Sequence, residues 1–380
     1  MGELVRLFGK LGLIGFGGPA AHISMMHDEV VTRRRWMDDR RFLDLIGITN
    51  LIPGPNSTEM TMHVGYQRAG WRGLVAAGSA FILPAALIVG ALAWAYVRYG
   101  GTPQGEALLY GIKPVVIAII VQALVKLAQA AYTGLVPVAV ALTVGGLYLA
   151  GFNEVALLAA GAAVVFLIRA ASRLGERSSN GSHAILLLAT SPLLLQTTDT
   201  TARLGLGSLF AVFLKVGAVL YGSGYVLLAF LRNDLVQGLG VLSDQQLLDA
   251  VAIGQFTPGP VFTTATFIGF LLGDLPGAVV ATVAIFLPSF LFVGGLTRIL
   301  PRLRERAWSG DLLDGVNAAA LGLMAGVLIQ LGADAIIDPP TALLAVAAGV
   351  VLWRTRLNSA WLVLAGALAG LAANLAGVGP

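Results

Sequence analysis

Cysteine is absent from this chain of 380 residues, which excludes disulfides, thiolate metal sites and cysteine nucleophiles. Charge is scarce. Asp, Glu, Lys and Arg make up 12% of the residues, against about 25% in a soluble chain. So few charges cannot coat a water-exposed globule of this length. Histidine is nearly missing too, at four residues, His22, His27, His63 and His183. None of them joins carboxylates at a metal-ligand spacing, so neither metal nor cofactor is expected. Paired carboxylates on facing segments are also lacking, which argues against an enzyme, a membrane-embedded polyprenyl-phosphate enzyme included.

What is present is apolar. Hydrophobic residues are 57% of the chain and the mean hydropathy is +0.83. Such a chain presents its surface to lipid. The formal net charge of +4 does not point to nucleic acid, because no basic groove interleaved with aromatics is visible. The arginines instead cluster between apolar segments, at Arg33-Arg34-Arg35, Arg40-Arg41, Arg169/Arg173/Arg177 and Arg298/Arg302/Arg304/Arg306. That pattern orients a multi-pass membrane protein. No small-residue cleavage site stands out near Met1, so the first apolar segment is expected to stay in the mature protein.

The chain repeats itself. Pro53-Gly54-Pro55 returns as Pro258-Gly259-Pro260, and at the same offset of 205 residues Phe8, Lys10, Gly12, Gly17, Asp39, Asp44 and Thr58 match Phe213, Lys215, Gly217, Gly222, Asp244, Asp249 and Thr263. Beyond the prolines the offset is 204, pairing Gly73 with Gly277, Leu83-Pro84 with Leu287-Pro288 and Gly111 with Gly315. The predicted organisation is a transmembrane repeat over 1–175, a polar linker over 176–204 and a second transmembrane repeat over 205–380. Each half holds six apolar segments, near 4–28, 42–67, 71–98, 107–131, 134–151 and 153–170, then near 206–231, 247–272, 275–300, 312–332, 340–353 and 358–377. A helix needs about 20 apolar residues to span a bilayer, which most of these supply. The apolar stretch Ile185–Leu195 in the linker is too short.

Two segments per half are interrupted. Two prolines stop the second segment and restart it, since each removes a donor and the later one suits a first helical position. The first segment breaks at Gly15-Phe16-Gly17-Gly18-Pro19, echoed by Tyr221-Gly222-Ser223-Gly224. Irregular backbone at membrane depth must be buried in protein or line a wet cavity. Placing the arginine-rich loops in the cytoplasm puts repeat-matched loops on opposite faces, 98–106 outside and 298–306 inside. The expected fold is therefore all-α and polytopic, with two inverted-topology repeats of about five crossings plus one re-entrant or broken PGP segment each.

Helix N-termini attract anions through free N–H groups and the helix dipole. The candidate substrate-binding residues are Gly17, Gly18, Pro19, Pro53, Gly54, Pro55, Asn56, Ser57 and Thr58, with Gly222, Ser223, Gly224, Pro258, Gly259, Pro260 and Thr263 in the second half. The same glycines and prolines also suit close helix packing. Lys10 and Lys215, in apolar segments, either recruit the anion or snorkel to the interface. His22, Glu29, Glu59 and His63 are candidate proton-linked or gating groups, or polar pairs that satisfy themselves. Glu59 and His63 share a helix face at i, i+4.

The ordered motifs Phe16-Gly17-Gly18-Pro19-x-x-His22 with Glu29, Leu51-Ile52-Pro53-Gly54-Pro55-Asn56-Ser57-Thr58, Gly65-Tyr66-x-x-Ala69-Gly70-Trp71, Phe81-Ile82-Leu83-Pro84 and Gln255-Phe256-Thr257-Pro258-Gly259-Pro260 resemble the chromate transporter (CHR) family over nearly the whole chain. The second half departs from the first motif at Tyr221-Gly222-Ser223-Gly224. The resemblance implies a long-chain, two-domain exporter of chromate in the plasma membrane, the inner membrane of a bacterium. It implies chromate resistance as the outcome and sulfate as a competing analogue. A proton-coupled sulfate or oxyanion uptake carrier is the alternative, an anion channel a further one, and a homodimer is left open.

Overall fold

The computed structural model describes residues 1–131, 134–177, 205–221, 224, 226–296, 307–355 and 357–377. These residues are helical and contain no strand. Most of the linker expected over 176–204, the loop 298–306, and Gly222 and Ser223 lie outside them.

The first half begins with two folded-back pairs of short helices. Helix α1 (Gly2–Ile14) has 13 residues and α2 (Gly18–His27) has 10, continuing into a π-turn over Asp28–Arg33. Neither approaches the length of a spanning helix. The pair closes on itself: Arg34 Nη1 meets Glu3 Oε1 at 2.9 Å, and Lys10 Nζ lies 3.7 Å from Glu29 Oε1. The start of α1 thus sits beside the end of its partner. The second pair is α3 (Asp39–Thr49) and the first arm of α4 (Asn56–Tyr99), with the PGP sequence at its tip. Asp38 caps α3 by accepting from Arg41 N. Arg34 and Arg68 both lie over the Trp36 ring, at 5.6 and 4.8 Å from its centroid. Both pairs therefore open on one arginine-rich face. The first segment folds back like the second, because left-handed Gly17 and Gly18, with φ of 100° and 77°, reverse the chain at the break the sequence marks.

Helix α4 kinks at Ala69-Gly70, where Gly70 has φ 58° and ψ −146°. Its long arm, residues 71–99, leads to α5 (Pro103–Ala131), α6 (Leu135–Leu149) and α7 (Glu154–Arg177). The second half follows the same order: α8 (Leu206–Val219), α9 (Leu227–Leu231) with a π-turn over Arg232–Gly238, α10 (Asp244–Phe256), α11 (Thr264–Leu296), α12 (Ala307–Ala335), α13 (Pro339–Arg354) and α14 (Ser359–Leu375). Helix α11 kinks at Gly273-Asp274, the repeat partners of Ala69-Gly70, and Asp274 holds φ 52° and ψ −149°. A non-glycine residue held there costs about 1–3 kcal/mol. Among the described residues five helices are long and apolar enough to cross a membrane: α4, α5, α7, α12, and α11 together with the single turn Val261–Thr263 that precedes it.

Repeat-matched helices meet across the halves. Trp71 packs on Gly294 and Phe290 on Gly78, so the long arms of α4 and α11 run antiparallel. Gly12 touches the backbone of Phe81, and its repeat partner Gly217 touches Ile285 in the same way. Helix α5 packs on α13 and α14, while α12 packs on α6 and α7, so the halves interleave. Gly111 against Gly366 and Gly315 against Ala162 are the small-residue contacts that permit this close approach. Ion pairs and a hydrogen bond between helices complete the frame. Arg169 and Arg173 hold Asp311, and Lys113 and Tyr96 hold the buried Asp249.

Candidate functional site

The four helix breaks are joined in two pairs, each made from both halves. Gly54 donates its N–H to Leu220 O at 2.8 Å, and Gly259 donates to Gly15 O, also at 2.8 Å. Leu220 is the repeat partner of Gly15, so the two bonds are images of each other. Each PGP tip thus caps the break of the opposite half. Sequence comparison of the halves located the breaks but not this exchange. Only backbone atoms carry it, and backbone leaves no residue-type signature.

At the first tip, Pro53 is half-buried while Gly54 and Pro55 are buried. Pro55 is the N-cap of α4, and its carbonyl accepts from Thr58 N and Glu59 N. Asn56 and Ser57 open the helix, so their N–H groups have no intrahelical acceptor. Asn56 Nδ2 donates to Asn50 Oδ1 at 2.8 Å, tying the new helix to the end of α3. Ser57 and Thr58 are buried, and Thr58 Oγ1 has no hydrogen-bond partner. At the second tip Pro258, Gly259 and Pro260 are buried. Here the hydroxyls are spent locally: Thr263 Oγ1 donates to Pro260 O and Thr264 Oγ1 to Val261 O, both at 2.8 Å. Among the described threonine hydroxyls at the two tips, Thr58 Oγ1 is uncommitted where Thr263 and Thr264 are not.

Glu59 is fully buried behind the first tip. Its Oε1 accepts from Ser289 Oγ at 3.0 Å, and Oε2 has no partner. Ser289 and its repeat partner Ala85 stand at equivalent places, each against the opposite PGP glycine. Ser289 escaped the sequence reading, although it directly follows the repeat-matched Leu287-Pro288. Tyr221 was quoted only as part of the weaker motif. Its hydroxyl donates to Leu51 O at 3.3 Å, beside the first tip.

At the first break, Gly17 is the left-handed N-cap of α2, and Gly18 and Pro19 are its first residues. His22 Nε2 donates to Gly15 O at 2.8 Å, the carbonyl that also receives Gly259 N–H. His63 is buried one turn beyond Glu59, with Nε2 unpartnered. Gly224 packs against Val261. Lys10 and Lys215 meet repeat-matched carboxylates, Glu29 at 3.7 Å and Asp234 at 2.6 Å, and Glu29 also takes Arg33 and Arg34. Both lysines clamp the short-helix pairs. A separate apolar cleft of about 340 Å³ lies between α4, α5, α10 and α14, lined by Tyr96, Tyr99, Leu109 and Phe256 among others. It includes none of the break residues, and its walls suit lipid rather than an anion.

Short helices folded back in pairs and capped across the two halves, in an apolar all-helical frame, define a multi-pass membrane transporter. The chain belongs to the chromate transporter family, whose profile it matches over residues 2–196 and 207–371. It is 36% identical to the chromate transport protein of Cupriavidus metallidurans over 388 residues, covering 98% of this chain and 92% of that one. It is 33% identical to a probable chromate transport protein of Synechococcus elongatus, covering 97% and 94%. The chromate transport protein of Pseudomonas aeruginosa is 32% identical, covering 97% and 91%. No solved structure matches the chain.

Proposed function

We propose that the protein carries chromate out of the cytoplasm, across the plasma membrane, and so confers chromate resistance. The observation that carries this reading is the reciprocal capping of the PGP tips, Gly54 to Leu220 and Gly259 to Gly15. It places helix starts with free N–H groups where the two halves meet. Neutral donors of this kind suit a tetrahedral oxyanion, which needs several hydrogen bonds at once. The substrate contacts are assigned to Asn56, Ser57 and Thr58 with the Gly17-Gly18-Pro19 helix start, and sulfate is a competing analogue. Purified protein in liposomes tests this directly. Radiolabelled chromate flux should saturate, and excess sulfate should reduce it. Absence of protein-dependent chromate flux would remove the proposal. Flux of sulfate that requires a proton gradient would support the uptake carrier instead.

The two repeats, 1–175 and 205–380, are read as inverted, which makes each tip a gate to one face. The antiparallel packing of the α4 and α11 long arms supports this. With no native cysteine, single Gly101→Cys and Gly310→Cys variants can be labelled in whole cells by an impermeant thiol reagent. Both glycines are exposed, with open space where a side chain would go. Gly101→Cys should label and Gly310→Cys should not. Labelling of both variants would sink the inverted arrangement.

A further inference from the structure

We propose that Glu59 is a direct ligand of the transported oxyanion and binds it only in its neutral form, so that above the pH at which this carboxyl ionises anion binding takes up one proton. The inference rests on the PGP tips being the anion site, and it assigns that site a regulator. Glu59 lies in the first turn of α4, on the arm whose opening N–H groups are uncommitted. It is wholly buried, and half of its carboxyl is idle: Oε1 accepts from Ser289, while Oε2 meets no donor among the described residues. The carboxyl is pressed against Gly54, where an added methyl group would overlap Glu59 Oε1 and Ser289 Oγ.

The groups facing Glu59 leave its charge uncompensated. From α11 comes Ser289, which is neutral. From the second-half break comes Tyr221, whose hydroxyl is already given to Leu51 O. On its own helix His63 lies one turn further on, with Arg41 of α3 beyond it. No lysine or arginine forms an ion pair with Glu59 among the described residues. A carboxylate there would be an unpaired buried charge, which is costly, and it would repel an arriving dianion. A neutral carboxyl has neither defect and turns the unpartnered Oε2 into an O–H donor, on a carboxyl whose Oε1 already lies against Gly54 of the tip. When the proton leaves, donor becomes acceptor and attraction becomes repulsion, so the anion is released. The second half has Thr264 at the matched position, its hydroxyl bound to Val261 O, so this control exists on one side of the pseudo-symmetric pair.

Sulfate is the probe, because it does not change protonation near neutral pH and any pH dependence of its binding belongs to the protein. Binding to purified wild-type protein should weaken as pH rises, approaching about tenfold per pH unit, the limit for one linked proton. Glu59→Gln keeps an N–H donor without a titrating group, so its binding should be pH-independent. If Glu59→Gln does not fold, Ser289→Ala carries the test. It removes the donor that favours the charged carboxylate, so loss of binding should move to higher pH. Wild-type binding that is flat with pH, unaltered pH dependence in Glu59→Gln, or no displacement in Ser289→Ala would each overturn the inference. If neither wild type nor variant binds sulfate or chromate at any pH, the anion site itself is misplaced, which is a different failure.

Discussion

Replacing Gly54 by alanine is expected to reduce chromate flux at least about a hundredfold while the protein still inserts, since misplacing a binding group by roughly 1 Å has losses of that order. Three features converge on this residue. Its φ of 138° is strained for any side chain. A methyl group would enter the space held by Glu59 Oε1 and Ser289 Oγ. Its N–H makes the bond to Leu220 O that joins the tip to the opposite half. The first two effects push the tip outward and the third is then lost. Insertion survives because Gly54 lies in the turn between α3 and α4 and belongs to no spanning helix. Pro55→Ala, Asn56→Ala and Gly17→Leu should also abolish transport, through loss of the helix stop, of the Asn50 tether and of the left-handed turn. Flux assays on variants of matched expression and elution profile decide the matter. Wild-type flux in Gly54→Ala would move the site away from the tip.

The sequence made the breaks legible because proline and glycine act locally. Pro53 and Pro55 stop a helix whatever surrounds them, and the offset between halves showed that the stop was repeated. The helices α5 to α7 and α12 to α14 were likewise visible as apolar runs. The first segment was harder. Residues 4–28 read as one apolar span with a flaw, and only the left-handed Gly17 and Gly18 with the Glu3–Arg34 contact show the chain turning back. Partnership across the halves was out of reach. The Gly54–Leu220 bond is made of backbone, and Ser289 differs from its repeat partner Ala85, so comparing the halves discards it. The lysines show the converse problem. Lys10 and Lys215 were read as recruiting the anion or snorkelling to the interface, and the folded-back pairs supply carboxylates to both.

Outward movement of chromate is expected to follow the membrane potential alone. Chromate is largely a dianion at neutral pH, and moving one charge through 100 mV is worth about 2.3 kcal/mol, so two charges gain about 4.6 kcal/mol leaving a negative interior. At about 1.4 kcal/mol per tenfold, that holds the inner concentration roughly two-thousandfold below the outer one. In liposomes loaded with potassium, valinomycin sets a negative lumen and should drive chromate out with no pH gradient present. The ratio reached at a fixed potential counts the charges carried. If the proton on Glu59 travels with the anion, one charge moves, and the same 100 mV sustains only about a fiftyfold ratio. Glu59→Gln should then restore the steeper dependence, because the dianion would cross without its proton. A ratio that ignores the potential and tracks an imposed pH gradient would make the protein a proton-coupled carrier, and the export reading would fall with it.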